Sequence, residues 1–265
     1  MRDSTATFMP ERYSRQLRLE GFGPRAQECL RTSSVLVSRV GGVGGTIAAL
    51  LAQAGIGRLV LAHGGPIEPE HLNRMQLANP SDVGRQCAQV FAEKIADINP
   101  DVDVVAVESN VTPDNVASLV RDVDVVADGA PLFEERYLLN QQAVTQRKSL
   151  VMAAMFGTEV QLTTIIPGST PCLACLFPEK PPEWDHVGVF PAIGPSPRFV
   201  GSLAAMEVIK LLTGYGKCMA GTLFFYDLKD NQLRFFSIKR RSACSVCGDV
   251  GEARAESVNA VAKGA

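Results

Sequence analysis

Through residue 155, short apolar runs alternate with longer stretches in which apolar positions recur every three or four residues. The first pattern belongs to buried strands and the second to helices lying on a sheet. Strands are predicted near 34–38, 58–62, 102–107, 123–127 and 149–154, and helices near 45–54, 84–98, 112–120 and 133–147. Strands separated by helices imply a parallel sheet with crossover connections. Residues 11–31 read as helical, broken at "GFGP". After 155 the alternation stops. "TEVQLTTIIPG" reads as an exposed strand, and "RFVGSLAAMEVIKLLTG" as an apolar helix with Gly214 near its C-cap. "GTLFFYDLKDNQLRFFSIKR" reads as two strands about a turn at Lys229-Asp230-Asn231, and the tail 251–265 as disordered.

Composition narrows the function. The chain has 265 residues, 46% apolar and 20% charged, which is ordinary for a folded globular protein. A net charge of −2 argues against nucleic acid as the main partner. No apolar run reaches the roughly 20 residues that span a bilayer. The first residues lack an apolar signal core, so a cytoplasmic location is expected. In that reducing compartment the seven cysteines suggest metal ligation or core filling rather than disulfides.

Two stretches carry chemistry. "VLVSRVGGVGG" runs a strand into a glycine-rich turn ahead of a helical stretch, the usual opening of a phosphate-binding loop. Arg39 stands where its first glycine belongs. "PCLACLFP" and "CSVCG" place Cys172, Cys175, Cys244 and Cys247 as two Cys-x-x-Cys knuckles, a set suited to one tetrahedral Zn²⁺. Four thiolates leave no open position, so such a site is structural. Four unrelated thiols or a redox pair are the competing readings, though neither pair opens a helix after a strand.

The chain resembles the ubiquitin-activating-enzyme-like superfamily, the ThiF, MoeB and HesA group. The resemblance runs over residues 11–248 through "RYSRQLRLEGFG", "VGGVGG", "HLNRM", "FEERYLLN", "PCLACLFP", "GSLAAMEVIKLLTG" and "CSVCG". "AHGG", "PEWDHVG" and "RRSACSVCG" are most similar to the HesA branch found with nitrogen-fixation genes. It implies an α/β, Rossmann-like, doubly wound and mostly parallel sheet with a C-terminal β-rich extension and a four-cysteine zinc module. Residues 1–155 would be the nucleotide-binding part with its N-terminal helices, and 156–250 a zinc-bearing, carrier-binding part of the same domain. It also implies a homodimer, ATP with Mg²⁺, and adenylation of the C-terminal glycine of a ubiquitin-like sulfur carrier. The setting would be sulfur or molybdenum handling for a metallocofactor, with nitrogenase in view.

The match is uneven at the nucleotide positions. Gly41, Gly42 and Gly44 keep the later loop glycines. Arg74 in "LNR", beside Asn73, matches the phosphate-binding arginine, and Arg15 the arginine that reaches across the dimer. The acidic residue that binds the ribose is His63 here, and the next acidic position is Gly65. The essential lysine falls at Cys87, with Arg85 close by. The metal-binding aspartate falls at Pro131, although Asp128 remains, and no sulfur-carrying cysteine follows the first knuckle in "HVGVFPAIG". Arg39 either supplies the missing lysine charge to a phosphate or neutralises Asp128 and plugs the site; adjacency of the first and fourth strands predicts the Arg39–Asp128 contact. The site is thus expected to be weakened, and the alternative to an adenylyltransferase is a degenerate carrier-binding scaffold. Glu134, Glu135 and Arg136 read as a helix start with a local ion pair.

Overall fold

The structure is a computed structural model that describes residues 10–181 and 190–248. The expected tail and the "PEWDHVG" stretch lie outside the described residues. Eight strands form one sheet. They are β1 (Ser34–Ser38), β2 (Arg58–Ala62), β3 (Asp103–Val107), β4 (Val125–Asp128), β5 (Ser149–Phe156), β6 (Glu159–Ile165), β7 (Thr222–Asp227) and β8 (Gln232–Ser237). Their order is β3-β2-β1-β4-β5-β6-β7-β8. The first five are parallel and the last three are antiparallel additions. The sheet therefore runs unbroken through the expected boundary at 155.

Strand periodicity decides which core each residue joins. Val35 and Val37, Leu59 and Leu61, and Val125 and Ala127 enter one core. Their neighbours Leu36, Val60, Ala62 and Val126 enter the other. The first core is roofed by α1 (Gly23–Thr32), α2 (Gly42–Ala54), α3 (Cys87–Ile98) and α7 (Pro195–Thr213). The second is roofed by α4 (Val116–Arg121), α5 (Phe133–Thr145) and the single turn α6 (Leu173–Leu176). With both faces covered, the central strands read as continuous apolar runs.

Departures from the predicted bounds have local causes. Before the sheet the chain forms two 3₁₀ turns, Pro10–Tyr13 and Gln16–Arg18, and α1 begins inside "GFGP". Pro24 lies in the first turn of α1, where its missing N–H costs nothing. α3 starts at Cys87 rather than 84, because Gly84 has φ of 85° and Gln86 bridges to Pro66. α7 ends as expected: Gly214, left-handed at φ 73°, returns its N–H to the Lys210 carbonyl at 2.9 Å.

Candidate functional site

Ser38 ends β1 opposite Asp128, the last residue of β4, and α2 starts at Gly42. The chain must therefore turn within three residues. Arg39 makes the turn with φ of 56°, a left-handed conformation costing a non-glycine residue about 1–2 kcal/mol. The position keeps the backbone that a glycine would adopt, although the side chain is arginine. The Gly41 N–H then donates to the Arg39 carbonyl at 2.6 Å. A Cβ on Gly44 would lie 2.5 Å from that same carbonyl oxygen, so the first turn of α2 tolerates no side chain there.

The predicted Arg39–Asp128 contact is corrected by the structure. Arg39 forks onto Glu135 instead, Nε to Oε2 at 2.9 Å and Nη2 to Oε1 at 2.5 Å. Asp128 is fully buried and accepts from Arg136 Nη1 at 2.9 Å, the Ala130 N–H at 2.8 Å and Ser38 Oγ at 3.3 Å. Burial still pushes its carboxyl up, against the pull of Arg136. Arg136 Nη2 also donates to the Ala153 carbonyl at 3.1 Å. The local ion pair expected within 134–136 thus gives way to two long-range pairs. Adjacent helical residues point to different sides, so Glu135 and Arg136 cannot face each other.

Arg39 and Arg136 border a cavity of roughly 200 Å³, smaller than the roughly 300–1,000 Å³ of most small-molecule sites, so a whole nucleotide would reach beyond it. Its wall includes Arg39, Gly41, Gly42, His63, His71, Arg74, Pro131 and Arg136. Arg74 is steadied by the Glu70 carbonyl at 2.7 Å and Asn73 Oδ1 at 3.0 Å, while Asn73 Nδ2 donates to the Ala192 carbonyl at 3.1 Å. His71 Nδ1 accepts the Glu68 N–H at 3.0 Å. His63 is buried, and its pKa is pushed down to about 3 by burial and then by Arg39 and His71, so its ring is neutral. The wall suits an anion. It does not suit Mg²⁺: no carboxylate lines it among the described residues, and Asp128 is enclosed by its own partners.

Other expected residues lie elsewhere. Arg85 pairs with Asp82 and Glu93 and does not line the cavity. Cys87 is fully buried with its thiol pushed up to about 12 by burial, a small core residue and no nucleophile. Arg15 is exposed beside the second 3₁₀ turn and is not in the wall. A second, more apolar cavity of roughly 280 Å³ shares Arg136 and Met155 with the first and is otherwise lined by residues such as Phe133, Met152 and Phe177.

An Arg39→Gly replacement would relieve the left-handed arginine but strand the Glu135 carboxylate. It should melt below the wild type, and Arg39→Gly with Glu135→Gln should recover about 1–3 kcal/mol in thermal unfolding. Equal melting of the single and double variants would show that the pair contributes nothing.

The four knuckle cysteines meet. Their sulfurs all lie within 4.8 Å of one another, with Cys172–Cys244 at 3.6 Å and Cys175–Cys247 at 3.4 Å. Sulfurs about 2.3 Å from a tetrahedral Zn²⁺ sit about 3.8 Å apart, so the set fits such an ion. Sequence reading missed the supports. Asn140 Oδ1 accepts the Leu173 N–H at 2.9 Å, and the Arg241 N–H points to Cys175 Sγ at 3.5 Å. Nothing in "FEERYLLN" singled out Asn140, because α5 buries Glu135 and Arg136 as well as apolar residues.

The chain matches the model of the ThiF family over residues 13–246. It is 48% identical to "Protein HesA, vegetative" of Trichormus variabilis over 242 residues, covering 90% of this chain and 89% of that one. It is 36% identical to "Sulfur carrier protein adenylyltransferase" of Thermus thermophilus over 249 residues, covering 90% and 91%. In fold it resembles the crystal structure of E. coli MccB with ATP, with a TM-score of 0.80 at 23% identity over 90% of this chain and 75% of that one. A glycine turn at the junction of β1 and β4, an arginine-walled cavity and a converged cluster of four cysteines thus accompany a match across most of the chain, which belongs to the ThiF family.

Proposed function

We propose that the protein activates a carboxylate by adenylation, the acceptor being the C-terminal glycine of a small ubiquitin-like sulfur carrier. One observation carries this reading: the N-terminus of α2 and Arg74 border the same cavity, at the C-terminal ends of parallel strands where such sheets bind nucleotides. The carboxylate oxygen attacks the α-phosphorus of ATP. The bond to the bridging oxygen breaks, and its electron pair leaves with pyrophosphate, giving an acyl adenylate. Backbone N–H groups at the start of α2 and the Arg74 guanidinium balance the charge that develops. Arg39, held by Glu135, presents a fixed cation at the loop. The adjoining apolar cavity supports a place for the carrier's tail. The relative named as a sulfur carrier protein adenylyltransferase supports the substrate class, and a role in metallocofactor sulfur supply goes with the resemblance to the HesA branch. Zn²⁺ in the four-cysteine cluster would be structural, tying the loop after β6 to the segment after β8.

Carrier-dependent exchange of labelled pyrophosphate into ATP is the expected result. Tight carrier binding without exchange would establish the second reading, a binding scaffold, which Pro131, Cys87 and the enclosed Asp128 favour. The proposal also includes a two-fold homodimer, which rests on the resemblance of "RYSRQLRLEGFG" to a segment that reaches a neighbouring subunit. Light scattering at micromolar concentration should give twice the chain mass, and a monomer would remove the dimer from the proposal.

A further inference from the structure

The first turn of α5 has no side-chain cap. Leu132 stands at the N-cap and has no acceptor to offer the free N–H groups, so this end of the helix depends on what packs against it. It is also the turn that serves the cavity. Glu135 forks onto the left-handed Arg39, and Arg136 holds Asp128.

The first cysteine knuckle packs against the same helix. The Tyr137 hydroxyl donates to the Phe177 carbonyl at 3.1 Å, and Asn140 Oδ1 accepts the Leu173 N–H at 2.9 Å. Phe133 meets Phe177 edge to face, with ring centroids 5.3 Å apart. Leu173 opens α6 and Phe177 follows its last residue, each close in sequence to Cys175. α6 is a four-residue turn, too short to keep its shape alone. Its other attachment runs through Cys172 and Cys175 to Cys244 and Cys247.

We propose that metal occupancy of the four-cysteine cluster sets nucleotide affinity at the arginine-walled cavity, with α5 as the connecting element and Tyr137 and Asn140 as positioning residues. The proposal rests on the nucleotide reading above. With the cluster closed, α6 is held on both sides and steadies the first turn of α5. That turn in turn fixes Arg39 and Arg136 in the cavity wall. With the cluster open, these side chains must be ordered as the ligand binds, and the cost of ordering them is lost from affinity. Linkage makes the effect mutual: nucleotide tightens the metal by the same factor.

Calorimetric titration with ATP tests it, on zinc-loaded protein and on protein stripped by a chelator. Stripping should weaken ATP about fivefold or more, and ATP should raise zinc affinity against a chromogenic chelator by the same factor. Tyr137→Phe and Asn140→Ala, each titrated with one zinc per chain bound, should move ATP affinity towards the stripped value. A merely structural role would lower their melting temperatures and leave that affinity unchanged. The readings on loaded protein stand even where the stripped chain unfolds. If ATP binds loaded and stripped protein alike, the coupling is wrong and the nucleotide site stands. If stripping weakens ATP but both loaded variants bind it as the parent does, the route through α5 is wrong. If ATP does not bind the loaded parent, the nucleotide reading itself fails, and this inference fails with it.

Discussion

A Cys172→Ser variant should purify without its metal and melt far below the parent protein. The four thiols converge from two segments, the loop after β6 and the chain after β8. Burial pushes Cys172 and Cys247 up, so without a metal these sulfurs are poorly solvated thiols rather than ligands ready to hand. A Zn²⁺ ion would change that balance, since binding in small zinc modules is worth about 10–16 kcal/mol. Part of that energy becomes folding energy here, because β8 is an exposed edge held by β7 alone. Metal analysis of the freshly purified, reduced protein should give one zinc per chain for the parent and a trace for the variant. A variant that kept a full complement of zinc, or a parent that never held any, would refute the assignment.

Arg136→Met is expected to be the next most damaging change. It leaves Asp128 fully buried with only Ser38 and the Ala130 N–H as partners. Removing one member of a buried ion pair costs about 3–5 kcal/mol, whereas replacing both by apolar groups is often close to neutral. Arg136→Met with Asp128→Leu should therefore melt well above the single variant. The pH dependence has a definite sign. Burial raises the Asp128 carboxyl, and losing Arg136 raises it further. A carboxyl whose folded pKa lies above the unfolded one binds its proton more tightly in the native state. That contribution is fully present below about 3.9, the unfolded value, and is lost as pH rises through the folded value. Acidification across that window should thus narrow the gap in melting temperature between Arg136→Met and wild type. A constant gap would mean that Asp128 does not titrate in the variant.

The sheet was legible because its central strands are short apolar runs, buried on both faces, set between longer helical stretches. Run length and flanking turn residues distinguish the two, and the β1–β4 adjacency followed from the topology. The cysteine cluster was legible from spacing, because four thiolates have few other uses in pairs of this kind. The pairing of Arg39 was not. Strand order brings Asp128 next to the glycine turn, but it says nothing of α5, whose first turn delivers Glu135 to Arg39 and Arg136 to Asp128. The partner of a charge depends on the roll of a helix over the sheet, and tertiary packing sets that roll. The rule that neighbouring helical residues face apart was available from sequence and would have excluded a Glu135–Arg136 pair.

The strand order also constrains how the chain is assembled during synthesis. β1 is made first but ends in the middle of the sheet, with β2 on one side and β4 on the other. Its second neighbour arrives late: the Ser38–Asp128 contact spans 90 residues. At translation speeds of roughly 5–20 residues per second, that interval is about 5–18 seconds. Glu135, which clamps the left-handed Arg39 in the folded chain, is made later still. Non-local closures of this kind are slow steps in folding. The nascent protein therefore finishes its binding turn only when the fourth strand and the helix behind it have left the ribosome.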